Sequence, residues 1–252
     1  MKFCANLTTM FKELDIYQRF YEAKKHGFDT VECLFPYHHD INKIKGAMED
    51  TGLKMLGMDF VPGDFYNGEI GMLNNPEKID EYKRGVELSI KVALDLGVKK
   101  MNCLVGKRLP GISIEKQMET IVDNLIYTSE QMKPHNLTLL IEPINSVDNP
   151  GYICDTCEKA SDIIQKVNTD NIALLFDVYH LYRMGHDVIG EFKKYRGIVN
   201  HVHISDCPNR TEPGKGEIPF DVILPAIDEY YKDYIGLEYT NIDSVFGNLP
   251  IE

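Results

Sequence analysis

The sequence lacks several features that would each announce a class of protein. No apolar run approaches the roughly 20 residues a membrane-spanning helix needs, so no membrane association is expected. Basic charge is scarce, with 27 Lys and Arg against 39 Asp and Glu and a formal net charge of -12. That balance gives little long-range attraction for nucleic-acid backbones or anionic lipid, and nucleic acid is not expected as a partner. No leader pattern precedes "MKFCANL", and the six cysteines lie scattered in or beside apolar runs, so a reducing, cytoplasmic location is expected. The one C-x-x-C, Cys154 to Cys157, has no second pair to complete a structural zinc site and is read as incidental. The N-x-[ST] matches at Asn6, Asn136 and Asn209 are read as chance. No repeat, low-complexity stretch or linker divides the chain, which is read as a single domain over residues 1–252.

What is present is an alternation. Eight short apolar, β-prone runs begin at Lys2, Asp29, Leu53, Val98, Leu137, Ile172, Ile198 and Tyr234. Between them lie amphipathic segments such as "IEKQMETIVDNLIYTSEQM" and "CEKASDIIQKVN", several closed by Gly or Asn, the usual left-handed stop residues. Strands alternating with helices argue for parallel pairing, since parallel neighbours need a crossover. Eight of them suit a closed α/β barrel of the TIM (β/α)8 type. The main rival, an open doubly wound sheet, would carry a Gly-rich turn after its first strand, and "CANLTTMF" has no glycine. The Gly/Pro/Asn-rich segment from Asp59 to Lys78 is long enough to serve as a lid.

Barrel enzymes assemble their sites at the carboxyl ends of the strands. Four consecutive ends carry an acid or imidazole after an apolar run: Glu142 after "LTLLI", Asp177 after "IALLF", His203 in "HVHI" and Glu238 after "YIGL". Each is costly beside a core unless paired or bound to a metal, and three converging carboxylates would repel one another. A divalent cation removes that penalty. The oxygen-rich donor set suits Mg2+ or Mn2+, while the imidazole leaves Co2+ and Zn2+ open. The competing reading is that each acid caps a helix or pairs with a nearby Lys or Arg. His180 in "FDVYH" and Arg210 in the following polar loop are expected to reach the same mouth as donors to substrate oxygens. His201, one layer deeper than His203, is read as a hydrogen-bonded core histidine, and Lys215 and Glu217 as loop scaffold.

With these residues in place the chain resembles the hydroxypyruvate isomerase family, within the wider group of xylose isomerase-like barrels that also holds the ketose 3-epimerases. The likeness runs through "FCANLTTMF", "GFDTVECLFPY", "PGDFYNGEIG", "LIEPIN", "FDVYH", "HVHISDCPNRTEPGKGEI" and "GLEY". It implies a TIM-type barrel, a divalent metal with Asp177 among its ligands, and two glutamates acting at the reacting carbons, which fall on Glu142 and Glu238. Hydroxypyruvate isomerases typically carry Gln where this chain has His203, the residue found there in the 3-epimerases. The expected activity is isomerisation of a small hydroxy-carbonyl compound, a keto acid of the hydroxypyruvate or 2-oxo-tetronate type, by proton transfer through an enediolate. A ketose 3-epimerase using the same groups, a phosphodiesterase of the apurinic endonuclease type and a non-catalytic sugar-binding barrel are the alternatives. The charge of -12 weighs against the phosphodiesterase. A homo-oligomer is compatible with the sequence.

Overall fold

The structure is a computed structural model that describes residues 1–240 and 244–249. Its eight strands are β1 (Lys2–Asn6), β2 (Thr30–Glu32), β3 (Lys54–Asp59), β4 (Lys100–Asn102), β5 (Thr138–Ile141), β6 (Ile172–Asp177), β7 (Val199–Ile204) and β8 (Tyr234–Leu237). They pair in parallel in sequence order, and β1 closes on β8 to make a barrel. The expected (β/α)8 architecture is therefore present.

The crossovers are α1 (Ile16–Lys25), α2 (Ile41–Thr51), α3 (Ile79–Leu96), α4 (Ile114–Met132), α5 (Cys157–Val167), α6 (Val178–Arg183), α7 (Val188–Tyr195) and α8 (Phe220–Asp228). Their limits follow local chemistry. Asp15, Asp40, Ser113, Thr156 and Asp187 cap N-termini with side-chain oxygens, satisfying amides the helix leaves unpaired. Gly52, Gly97 and Asn168 end α2, α3 and α5 in the left-handed conformation. One apolar face of each long helix is buried: Phe20, Ile44, Ile90, Leu125, Ile164, Phe192 and Leu224 join Val31, Leu139, Leu174, Val202 and Ile235 of the strands in one continuous core.

Two details depart from the sequence reading. Helix α6, six residues long, follows β6 directly and was not expected, because fewer than two turns leave no readable 3.6-residue period. The strands are also shorter than the apolar runs that signalled them. β2 stops at Glu32 although "CLF" follows, and β3 stops at Asp59. A barrel strand ends where its neighbour ceases to pair, not where apolar sequence runs out.

Register decides what faces what. Asp177 pairs with His203, and His203 with Gly236. The β6–β7 register slips by one residue, from Leu174 opposite Val199 to Leu175 opposite His201. Since side chains alternate between faces, that slip sets His201 and His203 on the side of Asp177.

Candidate active site

All eight strands deliver a buried polar side chain at or just past their carboxyl ends: Asn6, Glu32, Asp59, Asn102, Glu142, Asp177, His203 and Glu238. Such a ring of groups costly to bury, gathered at one end of a barrel, marks the end where barrel enzymes build their sites. Asp59, Glu142, His180, His203, Arg210 and Glu238 line a cavity of about 160 Å³ at that mouth.

The four expected ligands come together. Each of Glu142, Asp177, His203 and Glu238 offers one ligand atom, and these atoms lie within 4.8 Å of one another. Asn102 Nδ2 donates to Glu142 Oε2 at 2.9 Å, which leaves Glu142 Oε1 buried with no hydrogen-bond partner. Asp177 divides its oxygens: Oδ1 accepts from the amides of Tyr179 and His180 and caps α6, while Oδ2 stands 3.2 Å from Arg210 Nη2. Glu238 Oε1 lies 2.9 Å from the same guanidinium nitrogen. Its Oε2 lies 2.8 Å from His203 Nδ1 in an ion-pair contact, and that buried nitrogen has no hydrogen-bond partner. The cap and ion pairs offered by the competing reading thus exist inside the site and engage both oxygens of Asp177 and of Glu238, whereas Glu142 keeps one oxygen without a partner.

The electrostatics describe a cluster with an excess of negative charge. Burial, then Glu238 and Asp177, push the Glu142 carboxyl well above its ordinary value. Burial also acts to raise Glu238, but Arg210 and then His203 overcome it and hold that carboxyl at about 2. Burial works to lower His203, yet Glu32 and Glu238 hold its imidazole well above the ordinary value. A proton on Glu142 or His203 and a cation between them answer the same excess of negative charge. The orphaned Glu142 Oε1 and His203 Nδ1 fit the donor set of a divalent cation.

His180 and Arg210 reach the mouth as expected. His180 sits on the first turn of α6, where Asp177 and not His180 is the cap. The Asp148 amide donates to Asn145 Oδ1, which orients the Asn145 amide so that Nδ2 faces His180 Nδ1 at 2.7 Å. His180 is then a neutral imidazole with its proton on Nε2, 3.7 Å from both Glu142 Oε1 and Asp177 Oδ2. Burial lowers its pKa to about 4, in keeping with that neutral form. Arg210 has a left-handed backbone, φ 52°, and lays its guanidinium over the Tyr179 ring, 4.8 Å from the centroid. Its loop is wound around Asp206, whose carboxylate accepts from the amides of Cys207, Gly214, Gly216 and Ile218.

Sequence reasoning missed Glu32, Asp59, Asn102 and Asn145. Glu32 and Asp59 were legible as acids in apolar runs, but they stood inside runs whose strand ends had been placed too late. Asp59 is pushed well above the ordinary carboxyl value by burial and by Glu238. From the Asp59–Lys78 segment, Phe65 and Ile70 wall the cavity, and Phe65 packs on Phe35 with ring centroids 4.9 Å apart. Cys154 and Cys157 are buried free thiols.

A closed parallel barrel with acids, an imidazole and a guanidinium gathered at its carboxyl-end mouth defines a TIM-barrel enzyme. A profile of the family described as xylose isomerase-like TIM barrel matches residues 20–249, and the chain belongs to that family. It is 36% identical over 240 residues to hydroxypyruvate isomerase of Escherichia coli strain K12, a match covering 95% of this chain and 93% of that one. It is 30% identical over 239 residues to 2-oxo-tetronate isomerase of Haemophilus influenzae, covering 94% and 93%. A crystal structure from Brucella melitensis described as an AP endonuclease of family 2 superimposes with a TM-score of 0.91 at 31% identity, covering 94% and 92%. D-psicose 3-epimerase of Clostridium cellulolyticum H10 shares the fold, with a TM-score of 0.76 at 18% identity and coverage of 98% and 87%. The chain is an enzyme of the isomerase class. Among the described residues no helix is long and apolar enough to cross a membrane.

Proposed function

We propose that the chain isomerises a short hydroxy-carbonyl acid of the hydroxypyruvate or 2-oxo-tetronate type, with Glu142, Asp177, His203 and Glu238 holding a divalent cation. The observation that carries this reading is the meeting of three carboxylates and one imidazole with Glu142 Oε1 and His203 Nδ1 left unbonded. The oxygen-rich donor set favours Mg2+ or Mn2+, and the imidazole also accommodates Co2+ or Zn2+. When bound, such a cation supplies a Lewis acid for the negative charge that develops on the substrate oxygens.

The chain's own groups account for the rest. Glu142 and Glu238 face one small cavity, so one carboxylate takes the proton from carbon, the hydroxyl proton passes to the former carbonyl oxygen, and the other glutamate, entering protonated, returns a proton to the neighbouring carbon. His180 Nε2–H and the Arg210 guanidinium donate to substrate oxygens and hold the reacting carbons in place. Leu34, Phe35, Phe65, Ile70, Leu104 and Ile144 form an apolar wall that restricts water. A cavity of about 160 Å³ is below the roughly 300–1,000 Å³ of sites for drug-sized ligands, and it favours a substrate of three or four carbons over a hexose.

The test is product identity. Cation-loaded protein is incubated in deuterated water with hydroxypyruvate, 2-oxo-tetronates and five- and six-carbon ketoses. Conversion of a short keto acid with deuterium incorporation is expected. Turnover confined to a ketose and its C3 epimer would replace this reading with a 3-epimerase, and no exchange into any compound would remove it.

A further inference from the structure

Glu32, on β2, is a buried acid that the proposed chemistry leaves unused. It is 1% exposed and lies between two imidazoles. Its Oε2 is 3.0 Å from His203 Nε2, a hydrogen bond linking residues 171 positions apart. Its Oε1 is 2.5 Å from His201 Nε2, and His201 Nδ1 in turn lies 3.3 Å from the Tyr231 hydroxyl. A carboxylate offers only acceptors, so a hydrogen bond between Glu32 Oε2 and His203 Nε2 has the imidazole nitrogen as its donor.

We propose that Glu32 is a positioning residue: by accepting a hydrogen bond from His203 Nε2–H, it keeps the proton on Nε2 and leaves Nδ1 as the nitrogen that faces the three acids. This inference rests on the reading that these four residues hold a cation. An imidazole binds a metal through a nitrogen lone pair, and which nitrogen carries the lone pair is set by the hydrogen bond of the other. Nδ1 is the nitrogen turned toward Glu238, so a proton there would block the cluster. Neighbouring glycines make room for the contact. A Cβ on Gly236, which pairs with His203, would fall 2.6 Å from Glu32 Oε2 and 2.4 Å from His203 Cδ2. A Cβ on Gly57, which pairs with Glu32, would stand 3.2 Å from Glu32 Oε1. The second oxygen of Glu32 stands against His201 Nε2 in an ion-pair contact, so the carboxylate lies between two imidazoles.

The experiment measures divalent-cation affinity calorimetrically, with Mg2+ and Mn2+, in the wild type, Glu32→Gln, His203→Gln and the double variant. Glu32→Gln is expected to weaken binding about 10–100-fold, the usual effect of losing a partner of a metal-bound imidazole. In the His203→Gln background the same change is expected to cost less than about threefold, since a Gln has no tautomer to set. Equal losses in both backgrounds, or affinity within about threefold of wild type in Glu32→Gln, overturn the proposal. Nitrogen-15 NMR of labelled histidines in the Mg2+-loaded wild type is a second readout that needs no variant. His203 is expected to be protonated at Nε2 alone, and a proton on Nδ1 overturns the proposal. A wild type that binds neither cation defeats the functional reading itself, whereas binding unaffected by Glu32→Gln defeats only this inference.

Discussion

Asn102 Nδ2 donates to Glu142 Oε2 at 2.9 Å, and this contact fixes the Glu142 carboxylate with its second oxygen turned, unbonded, toward Asp177, His203 and Glu238. Glu142 is thereby held where burial and the neighbouring Glu238 and Asp177 disfavour its negative charge.

Stability of the metal-free protein should show that cost. The folded Glu142 carboxyl lies above its ordinary value of 4.5, so the folded state retains a proton that the unfolded chain releases. Its contribution to stability is therefore lost as pH rises from about 4.5 toward the raised folded value. Thermal melts in chelator are expected to show Glu142→Gln gaining on wild type as pH rises through that window, and added Mg2+ should close the gap. Turnover by the variant should fall about 10²–10⁴-fold, as for loss of a positioned proton-transfer group. A variant that stays active and melts in parallel with wild type at every pH would contradict the assignment.

His180 should titrate far from an ordinary histidine. Its folded pKa of about 4 lies below 6.5, so between these values the unfolded chain binds the proton first and this group's stability contribution is lost as pH falls. Proton NMR of the metal-free protein is expected to place the His180 midpoint near 4. Asn145→Asp, which sets a carboxylate against Nδ1, should move that midpoint upward; a wild-type midpoint near 6.5 would mean that the ring is not held neutral.

Gly236→Ala tests the close packing around His203. The added methyl would sit 2.4 Å from His203 Cδ2 and 2.6 Å from Glu32 Oε2, well inside contact distance. Overpacking of this kind costs about 1–3 kcal/mol, to be read from urea denaturation. Cation affinity should fall with it, because the imidazole must shift to make room.

The Asp59–Lys78 segment should respond to occupancy of the cavity it walls. Phe65 is 41% exposed, open enough for chymotrypsin to find. Cleavage after Phe65 is expected to slow when Mg2+ and a short keto acid are both present. An unchanged rate would make the segment a fixed wall and not a lid.

The eight-fold alternation and the four residues that converge at the mouth were legible in the sequence because each rests on a local signal. Helix α4 begins and ends where its periodic pattern does, and Glu142 and Glu238 follow directly on short apolar strands. Glu32 and Asp59 were hidden for the opposite reason: their strands end inside longer apolar runs, at points set by pairing with a neighbour. Helix α6 was hidden by its length, and Asn145 because a side-chain amide that orients an imidazole across 35 residues leaves no periodic trace.

The sequence by itself thus determined the barrel and the kinds of groups at its mouth, since hydrophobic periodicity and the cost of burying charge are properties of short segments. Only the tertiary structure decided which atom of each group is free. That Glu142 keeps Oε1 unbonded, that His203 turns Nδ1 inward and that Asp177 spends one oxygen on a helix cap are consequences of pairing register and of contacts between distant strands. A hydrogen bond spanning 171 residues has no local signature, because it forms only once the closed barrel has brought its two ends together.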